Sequence, residues 1–463
     1  MGENKGIQAA ERRLKINEKL SFGFGEMPNA MVSVLAAFLT MFYTDNVGLA
    51  AASVGTMFFI SKILDGITDI IAGVIIDHTR TKWGKARPWL LWLSVPTGLV
   101  LALIFFIPTD GSATVQLIYA YVTYNLYNSV LYTMVGCAKY ALMPLMTQNS
   151  QDRMSLAKVN TIFGMGSVLI ACSITFPFVN KMGGDTRAWR IVFIVYGVLV
   201  TAGLLYAFFN SKEYVQSVES AVDGAEEKVG FVEGIKMFFH NKYFVFALFV
   251  NLCVQFAVQV NSVSQTYFYV YSMGNQSLTS IMNMASLIPM IVSVLVLPGI
   301  LLDKLGKKKM IYVGLACHII FSILMGVAAS VGSVALLVFA TVMKNLSTGA
   351  LSIPVGILAA DAVDYGEYLT NKRIEGIGTS VITFSQKVAS GLAQGCLGWI
   401  LALTGYVANQ TQSAETLMGI NMLFAYVPAI VFVIVFILFK TVYHYDEEEE
   451  QVLAELNRRK AAK

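Results

Sequence analysis

Apolar runs separated by short polar stretches recur along the whole chain, at 20–44, 50–76, 88–107, 114–143, 154–178, 190–210, 243–272, 279–302, 310–330, 334–360, 376–404 and 416–440. About 20 apolar residues in helical form cross the hydrocarbon core of a bilayer. Each run therefore predicts a membrane-spanning helix, and the longer ones have room to tilt. The expected fold is all-α and polytopic, with twelve transmembrane helices.

The loops between the runs alternate in charge. The loop after the second run holds Asp77, Arg80, Lys82, Gly84, Lys85 and Arg87, and the loop after the eighth holds Asp303, Lys304, Gly306 and Lys307 to Lys309. Loops on the other side, such as 45–52 and 274–279, hold no Lys or Arg. Only the fifth-to-sixth connection, with Lys181, Arg187 and Arg190, runs against the alternation. The positive-inside rule then places both termini in the cytoplasm, which requires an even number of spans.

The two basic loops share an Asp followed by Gly and Lys, each after the second helix of a set of six. This weak repeat predicts a six-helix half over 1–210, a cytoplasmic linker over 211–242, a second six-helix half over 243–441 and a tail over 442–463. Parallel repeats of this kind are a transporter architecture. The stretch 231–243 reads as an amphipathic surface helix. The tail, acidic and then basic, reads as a solvated cytoplasmic segment.

Composition narrows the function. The chain has 463 residues, of which 56% are hydrophobic and 13% charged, with mean hydropathy +0.63. A soluble protein carries roughly 25% charged residues, so a water-soluble enzyme is excluded. The basic start, with Lys5, Arg12, Arg13, Lys15 and Lys19, lacks the apolar core of a signal peptide. Five cysteines, all inside apolar runs, suggest neither a disulfide framework nor a zinc site. The net charge of +4 gives no sign of a nucleic-acid partner.

Ionisable side chains at bilayer depth cost about 2.5–3.5 kcal/mol each on insertion scales, so each one marks a candidate site. Glu26, Lys62, Asp65, Asp69, Lys139, Lys344 and Lys387 lie inside the runs. Asp65 and Asp69 stand four apart and share a helix face. Two such carboxylates away from bulk water demand a proton, a bound cation or a lysine. Thr68 lies beside them, and Thr133 on the fourth run offers another oxygen. A salt bridge from Lys62 or Lys387 is the structural alternative. Glu26 follows Gly23 and Gly25 and precedes Pro28, near a helix end, where it can also reach water. Asp361, Asp364, Glu367 and Arg373 bracket the tenth-to-eleventh loop as a cytoplasmic gate. Asp77, Arg80, Gly84, Lys85 and Arg87 are placed in the conformational cycle. No phosphate-binding loop, metalloprotease or hydrolase motif and no potassium-channel filter is present. The chain reads as a secondary transporter, not an enzyme.

The segments Phe42-Tyr-Thr-Asp45-Asn-Val-Gly48, Lys62-Ile-Leu-Asp65-Gly-Ile-Thr-Asp69 and Arg80-Thr-Lys-Trp83-Gly84-Lys85-Ala-Arg87-Pro88-Trp89 carry a resemblance. So do Asp361-Ala-Val-Asp364-Tyr365-Gly366-Glu367-Tyr368, Arg373-Ile-Glu375-Gly376 and Lys387. Over nearly its whole length the chain resembles the glycoside–pentoside–hexuronide:cation symporters, the melibiose-permease branch of the major facilitator superfamily. The resemblance implies glycoside import by alternating access, coupled to sodium, lithium or protons. It also implies a cation site at Asp65 and Asp69 with Thr68 and Thr133 nearby, and Lys387 as the lysine that interacts with it. No other cofactor or metal is implied.

The sugar site departs from the melibiose-permease pattern. That pattern's two sugar-binding acids fall at Ala30 and Gly136, and its fifth-span arginine falls near Asn160. The sequence instead resembles the family's bacterial glucuronide carriers, in the acid after Gly25 and in 365–376 and 405–410. Losing two acids while holding Lys139 and Lys344 suits a uronate carboxylate, which needs a cationic partner. The expected substrate is therefore a glucuronide, with a neutral glycoside or pentoside as the alternative and a sodium-coupled lysolipid carrier as a third class. Candidate substrate contacts are Glu26, Asn29, Tyr132, Lys139, Tyr140, Lys344 and Trp399. For Lys139 the competing reading is a lysine that snorkels to the interface. The expected location is the bacterial cytoplasmic membrane.

Overall fold

Each predicted run is helical in the computed structural model, which describes residues 13–214 apart from 109, 239–370 and 375–461. The chain order begins α1 (Ile16–Phe24), α2 (Met27–Met41), α3 (Ala51–His78), α4 (Arg87–Trp92), α5 (Ser94–Leu103), α6 (Ala113–Asn125), α7 (Thr133–Met146), α8 (Ser150–Lys181) and α9 (Thr186–Asn210). It continues with α10 (Lys242–Tyr267), α11 (Leu278–Val331), α12 (Val334–Leu346), α13 (Thr348–Thr370), α14 (Glu375–Leu403), α15 (Ala414–Asn421), α16 (Val427–Val442) and α17 (Tyr445–Ala461). No β-strand occurs among the described residues. The eighth and ninth runs share α11, divided at Gly306, whose φ of 71° only glycine adopts without strain. The amphipathic helix expected over 231–243 falls almost wholly outside the described residues, as does Arg373.

Short polar side chains set the helix ends. Ser112, Asn149, Asp185, Asn241, Ser333 and Ser413 each accept hydrogen bonds from first-turn N–H groups of the following helix. These donors would otherwise go unpaired where water is scarce.

The chain divides into two compact units. One comprises Met1–Gly224 with Thr279–Asn283 and Val407–Gln410, and the other comprises Ala225–Leu278, Met284–Tyr406 and Thr411–Lys463. A local repeat runs through them. Helix α2 passes into a π turn at Phe42–Asn46, and α10 passes into one at Phe268–Ser272. Both turns begin Phe-Tyr. The N–H of Leu49 donates to Tyr43 O at 2.9 Å, and that of Asn275 to Tyr269 O at 3.0 Å. Each turn is released by a glycine at positive φ, Gly48 at 84° and Gly274 at 62°.

In the first unit α5 and α9 meet at Gly98 and Gly197. A Cβ on Gly98 would stand 2.2 Å from Gly197 O, so only glycine permits this approach. The exceptional basic connection has a structural account here: Arg190 donates to Phe105 O at 3.1 Å and to Ile107 O at 3.2 Å. It pairs two carbonyls in the turn that follows α5.

In the second unit the tail differs from the solvated segment expected. Helix α17 docks, burying Tyr445, Val452 and Leu456 in the core formed by α10, α11, α13 and α16. The charge-rich composition hides this because only the spacing of those three apolar residues marks the buried side. Lys242 bonds Glu448 at 2.9 Å. Burial pushes the Glu448 carboxyl up, but hydrogen bonds from Lys242 and Tyr243 outweigh this and hold it below the usual carboxylate range. A carboxyl so depressed stabilises the docked tail above the ordinary glutamate range. That contribution is lost as pH falls through its lowered value.

Candidate functional site

Helix α3 carries Lys62, Asp65 and Asp69 along one face, with Lys62 and Asp65 buried and Asp69 half-buried. The Lys62 Nζ lies 3.9 Å from Asp65 Oδ2 and donates to Asn128 Oδ1 at 3.2 Å. Of the partners left open by the sequence for Asp65, Lys62 is therefore in place. Asn128 sits in a π turn, Leu126–Tyr132, that interrupts the fourth span between α6 and α7. The wider turn sets the Asn128 carbonyl opposite Thr133, whose hydroxyl donates to it at 3.3 Å and to Asp65 Oδ1 at 3.2 Å. Such turns recur at functional positions. The Asn128 amide nitrogen is buried with no hydrogen-bond partner among the described residues. Thr68 turns its hydroxyl to its own helix, donating to Asp65 O at 3.1 Å, with lone pairs still available. Carboxylate, hydroxyl and carbonyl oxygens thus gather around Asp65, the donor set that hard cations prefer.

A second polar group surrounds Glu26. The residue stands at the break between α1 and α2 and is 5% exposed, so it does not reach water as a helix-end acid would. Lys139 on α7 bonds both Glu26 and Asn160 of α8. Asn29 donates to Glu26 Oε1 at 2.5 Å, and Tyr132 donates to Asn29 Oδ1 at 3.0 Å. Lys139 is 2% exposed and lies over the Phe22 ring, so it does not snorkel. Glycines make room for this packing. A Cβ on Gly164 would press Glu26 Cγ at 3.1 Å, and one on Gly25 would press Lys139 Cδ at 3.3 Å. A narrow cleft of about 20 Å³ opens over the group, with Tyr140, 58% exposed, on its rim.

The remaining candidates lie in the second unit. Lys344 at the end of α12 is buried and donates to Asn261 Oδ1 at 2.6 Å, and Asn261 donates onward to Phe424 O. No carboxylate lies within ion-pair distance of Lys344 among the described residues. Lys387 and Trp399 are half-buried on α14.

At the basic-loop end of the first unit, Asp77 bonds Lys85 at 3.2 Å, and Arg80 folds back onto Asp77 O at 2.8 Å. The centre of this loop is a residue that the sequence reading passed over, Glu213. Its carboxylate accepts the N–H groups of Lys85, Ala86 and Arg87 at 3.1, 2.9 and 2.8 Å, capping α4. Gly84 has φ 110°, and a Cβ there would stand 2.2 Å from the Glu213 carboxylate. Arg87 donates to Phe208 O at 2.9 Å and covers the Phe208 ring. In the second unit Asp361 pairs with Lys307 at 2.8 Å and accepts from Tyr443 at 3.2 Å, while Asp364 stands half-buried one turn on. Glu213→Gln and Arg87→Ala are each expected to slow turnover several-fold with sugar affinity held within about twofold, since the loop lies apart from both polar groups. Rates of sugar exchange set against binding constants check this. An affinity loss at normal turnover would place the loop in recognition.

Carboxylates and lysines held inside an apolar helical bundle mark a candidate site for moving a polar solute or ion. The fold is that of the major facilitator superfamily. A crystal structure of a D-xylose–proton symporter is similar at TM-score 0.66 and 13% identity, over 92% of this chain and 98% of that one. The family model described as MFS/sugar transport protein matches residues 21–447, and the chain belongs to this family of sugar/cation symporters. It is 30% identical to the isoprimeverose transporter of Lactiplantibacillus pentosus, over 96% of this chain and 92% of that protein. It is 28% identical to the glucuronide carrier protein homolog of Escherichia coli, over 96% and 97% respectively. The chain is thus a multi-pass sugar/cation symporter and not an enzyme.

Asn128, Asn261 and Glu213 were missed from sequence. Asn125, Asn128 and Ser129 interrupt an apolar span at helical spacing, a signal that would have flagged the first. Glu213, an acid just past a span on the basic side, offered a weaker one.

Proposed function

We propose that the protein imports a neutral glycoside across the bacterial cytoplasmic membrane by alternating access, in symport with sodium or protons, with both termini cytoplasmic. The cation enters at Asp65, Asp69, Thr68 and Thr133. The sugar enters at the cleft over Glu26, Asn29, Tyr132, Lys139 and Tyr140.

One observation carries the neutral reading: the Lys139 charge is already matched by Glu26. A carboxylate, a lysine and amides in one chain of hydrogen bonds offer both donors and acceptors, which is what vicinal hydroxyls require. Tyr140 supplies an exposed ring for stacking on the apolar face of a sugar. The lysine also stands in for the arginine that the family pattern places near Asn160, reaching that position from the fourth span. A glucuronide remains the second reading, favoured by Lys344, whose bonded partner is a neutral amide. The names of the relatives divide between the two. A lysolipid carrier fits poorly, because Glu26, Lys139 and Asn29 present charged and amide groups in the cleft.

The test is uptake of labelled xylosides, galactosides and glucuronides into membrane vesicles, with sodium and pH gradients imposed separately. Neutral glycosides are expected to accumulate. Accumulation of glucuronides alone, lost in Lys344→Gln, would replace the first reading by the second. A charge-assisted hydrogen bond is worth about 1.5–3 kcal/mol, so that loss would be roughly 10- to 150-fold.

A further inference from the structure

The tail helix is bonded to the basic-loop ends of three helices of its unit, α10, α11 and α13, and follows directly on a fourth, α16. Lys307, just past the Gly306 break in α11, is shared between Asp361 of α13 and Glu449 of α17, at 2.8 Å to each. Lys242, the first residue of α10, takes Glu448. Arg459 donates to Tyr368 O near the end of α13 at 3.0 Å and is braced by Glu455 at 3.0 Å. Beneath these polar contacts Tyr445 meets Tyr243 with ring centroids 5.1 Å apart, and the Lys307 ammonium stands 5.2 Å from the Tyr445 ring. The tail thus has an apolar underside and ionic ends.

We propose that α17 is a strap that makes the ends of α10, α11, α13 and α16 one rigid body, and that its docking sets the rate of the transport cycle. Alternating access in this architecture is largely the rocking of one bundle against the other. A bundle whose helix ends slide independently transmits that motion poorly. Because the ion pairs are only partly buried, each contributes modestly, and the strap is held by their sum with the apolar underside. Lys307 is the shared element, so losing Glu449 also loosens the hold on Asp361. The device holds none of the candidate sugar or cation residues, and it predicts an effect on rate without an effect on recognition. It rests on the transport reading above for alternating access, for the cytoplasmic side of the tail and for the choice of sugar.

Two variants approach the strap from different sides. Glu449→Gln removes an ion pair while keeping shape, and Val452→Asp spoils the underside while keeping every ionic group. The strap's release is read as faster trypsin cleavage at Arg458 and Arg459 in inside-out vesicles. Turnover is read as exchange of a labelled nitrophenyl xyloside, or of the matching glucuronide where the uptake panel selects it, beside equilibrium binding of the same compound. Both variants are expected to be cleaved faster and to exchange at least about fivefold more slowly, with affinity within about twofold of the parent. Faster cleavage with normal exchange would overturn the proposal, because the tail would then be a bystander. Slower exchange explained by weaker binding would overturn it too. If the xyloside neither binds nor exchanges in the unaltered protein, the neutral-glycoside reading fails, and the same comparison proceeds with the glucuronide.

Discussion

Asp65→Asn is expected to abolish accumulation of sugar against a gradient, a loss of at least about 100-fold in concentrative uptake, while the folded protein still binds sugar. The Asp65 carboxylate receives Thr133 and stands 3.9 Å from Lys62. Two explanations of its presence make different predictions. If Asp65 serves only to balance Lys62, then neutralising both in Lys62→Gln/Asp65→Asn removes the charge problem and restores coupled uptake. If Asp65 and Asp69 hold the coupling cation, the double variant folds as well as the parent and remains uncoupled. We expect the second outcome, and Asp69→Asn is expected to behave like Asp65→Asn. Counterflow, which needs sugar exchange but no net cation movement, separates lost coupling from lost binding.

The second large effect concerns the Glu26–Lys139 pair. Removing one partner of a buried ion pair leaves an uncompensated charge and costs about 3–5 kcal/mol. Glu26→Gln and Lys139→Gln are therefore each expected to lower thermal stability sharply. The double variant keeps two groups able to hydrogen-bond to Asn29 and Asn160, and it should recover most of that stability. Sugar binding should not recover, because the site has lost both its charged acceptor and its charged donor. Thermal unfolding and equilibrium sugar binding of all three purified variants check this. Recovery of binding along with stability would make the pair a structural strut and move the sugar site elsewhere.

Membrane spans declare themselves because hydrocarbon tolerates no unpaired backbone, so the apolar runs and the helices had to coincide. The pair Asp65 and Asp69 was equally visible, since four residues is one turn and the charges lie in an apolar run. What the charges touch was not legible. Lys139 and Glu26 lie 113 residues apart, and their pairing depends on room left by Gly25 and Gly164. Sequence offered Lys139, beside Lys344, as a cation for a uronate or as a lysine that snorkels, whereas in the structure it pairs with buried Glu26. Asn128 comes level with Thr133 only because the fourth span takes a π turn there, and no periodicity announces that extra residue. The docked tail was obscured in the opposite way, its acidic and basic residues outnumbering the three apolar ones that anchor it.

Sugar and cation are expected to cross together through the Asp65–Asp69 face of α3. Coupling is reciprocal, so a sugar gradient must drive the cation as surely as a cation gradient drives the sugar. The most direct measurement adds the glycoside selected by the uptake panel to de-energised vesicles with no ion gradient. It follows entry of radioactive sodium, and of protons by external pH, in the same preparation. Sugar-driven entry of one of the two ions is expected, absent from both Asp65→Asn and Asp69→Asn. Sugar entry with neither ion moving, or ion entry that survives the loss of both carboxylates, would contradict it.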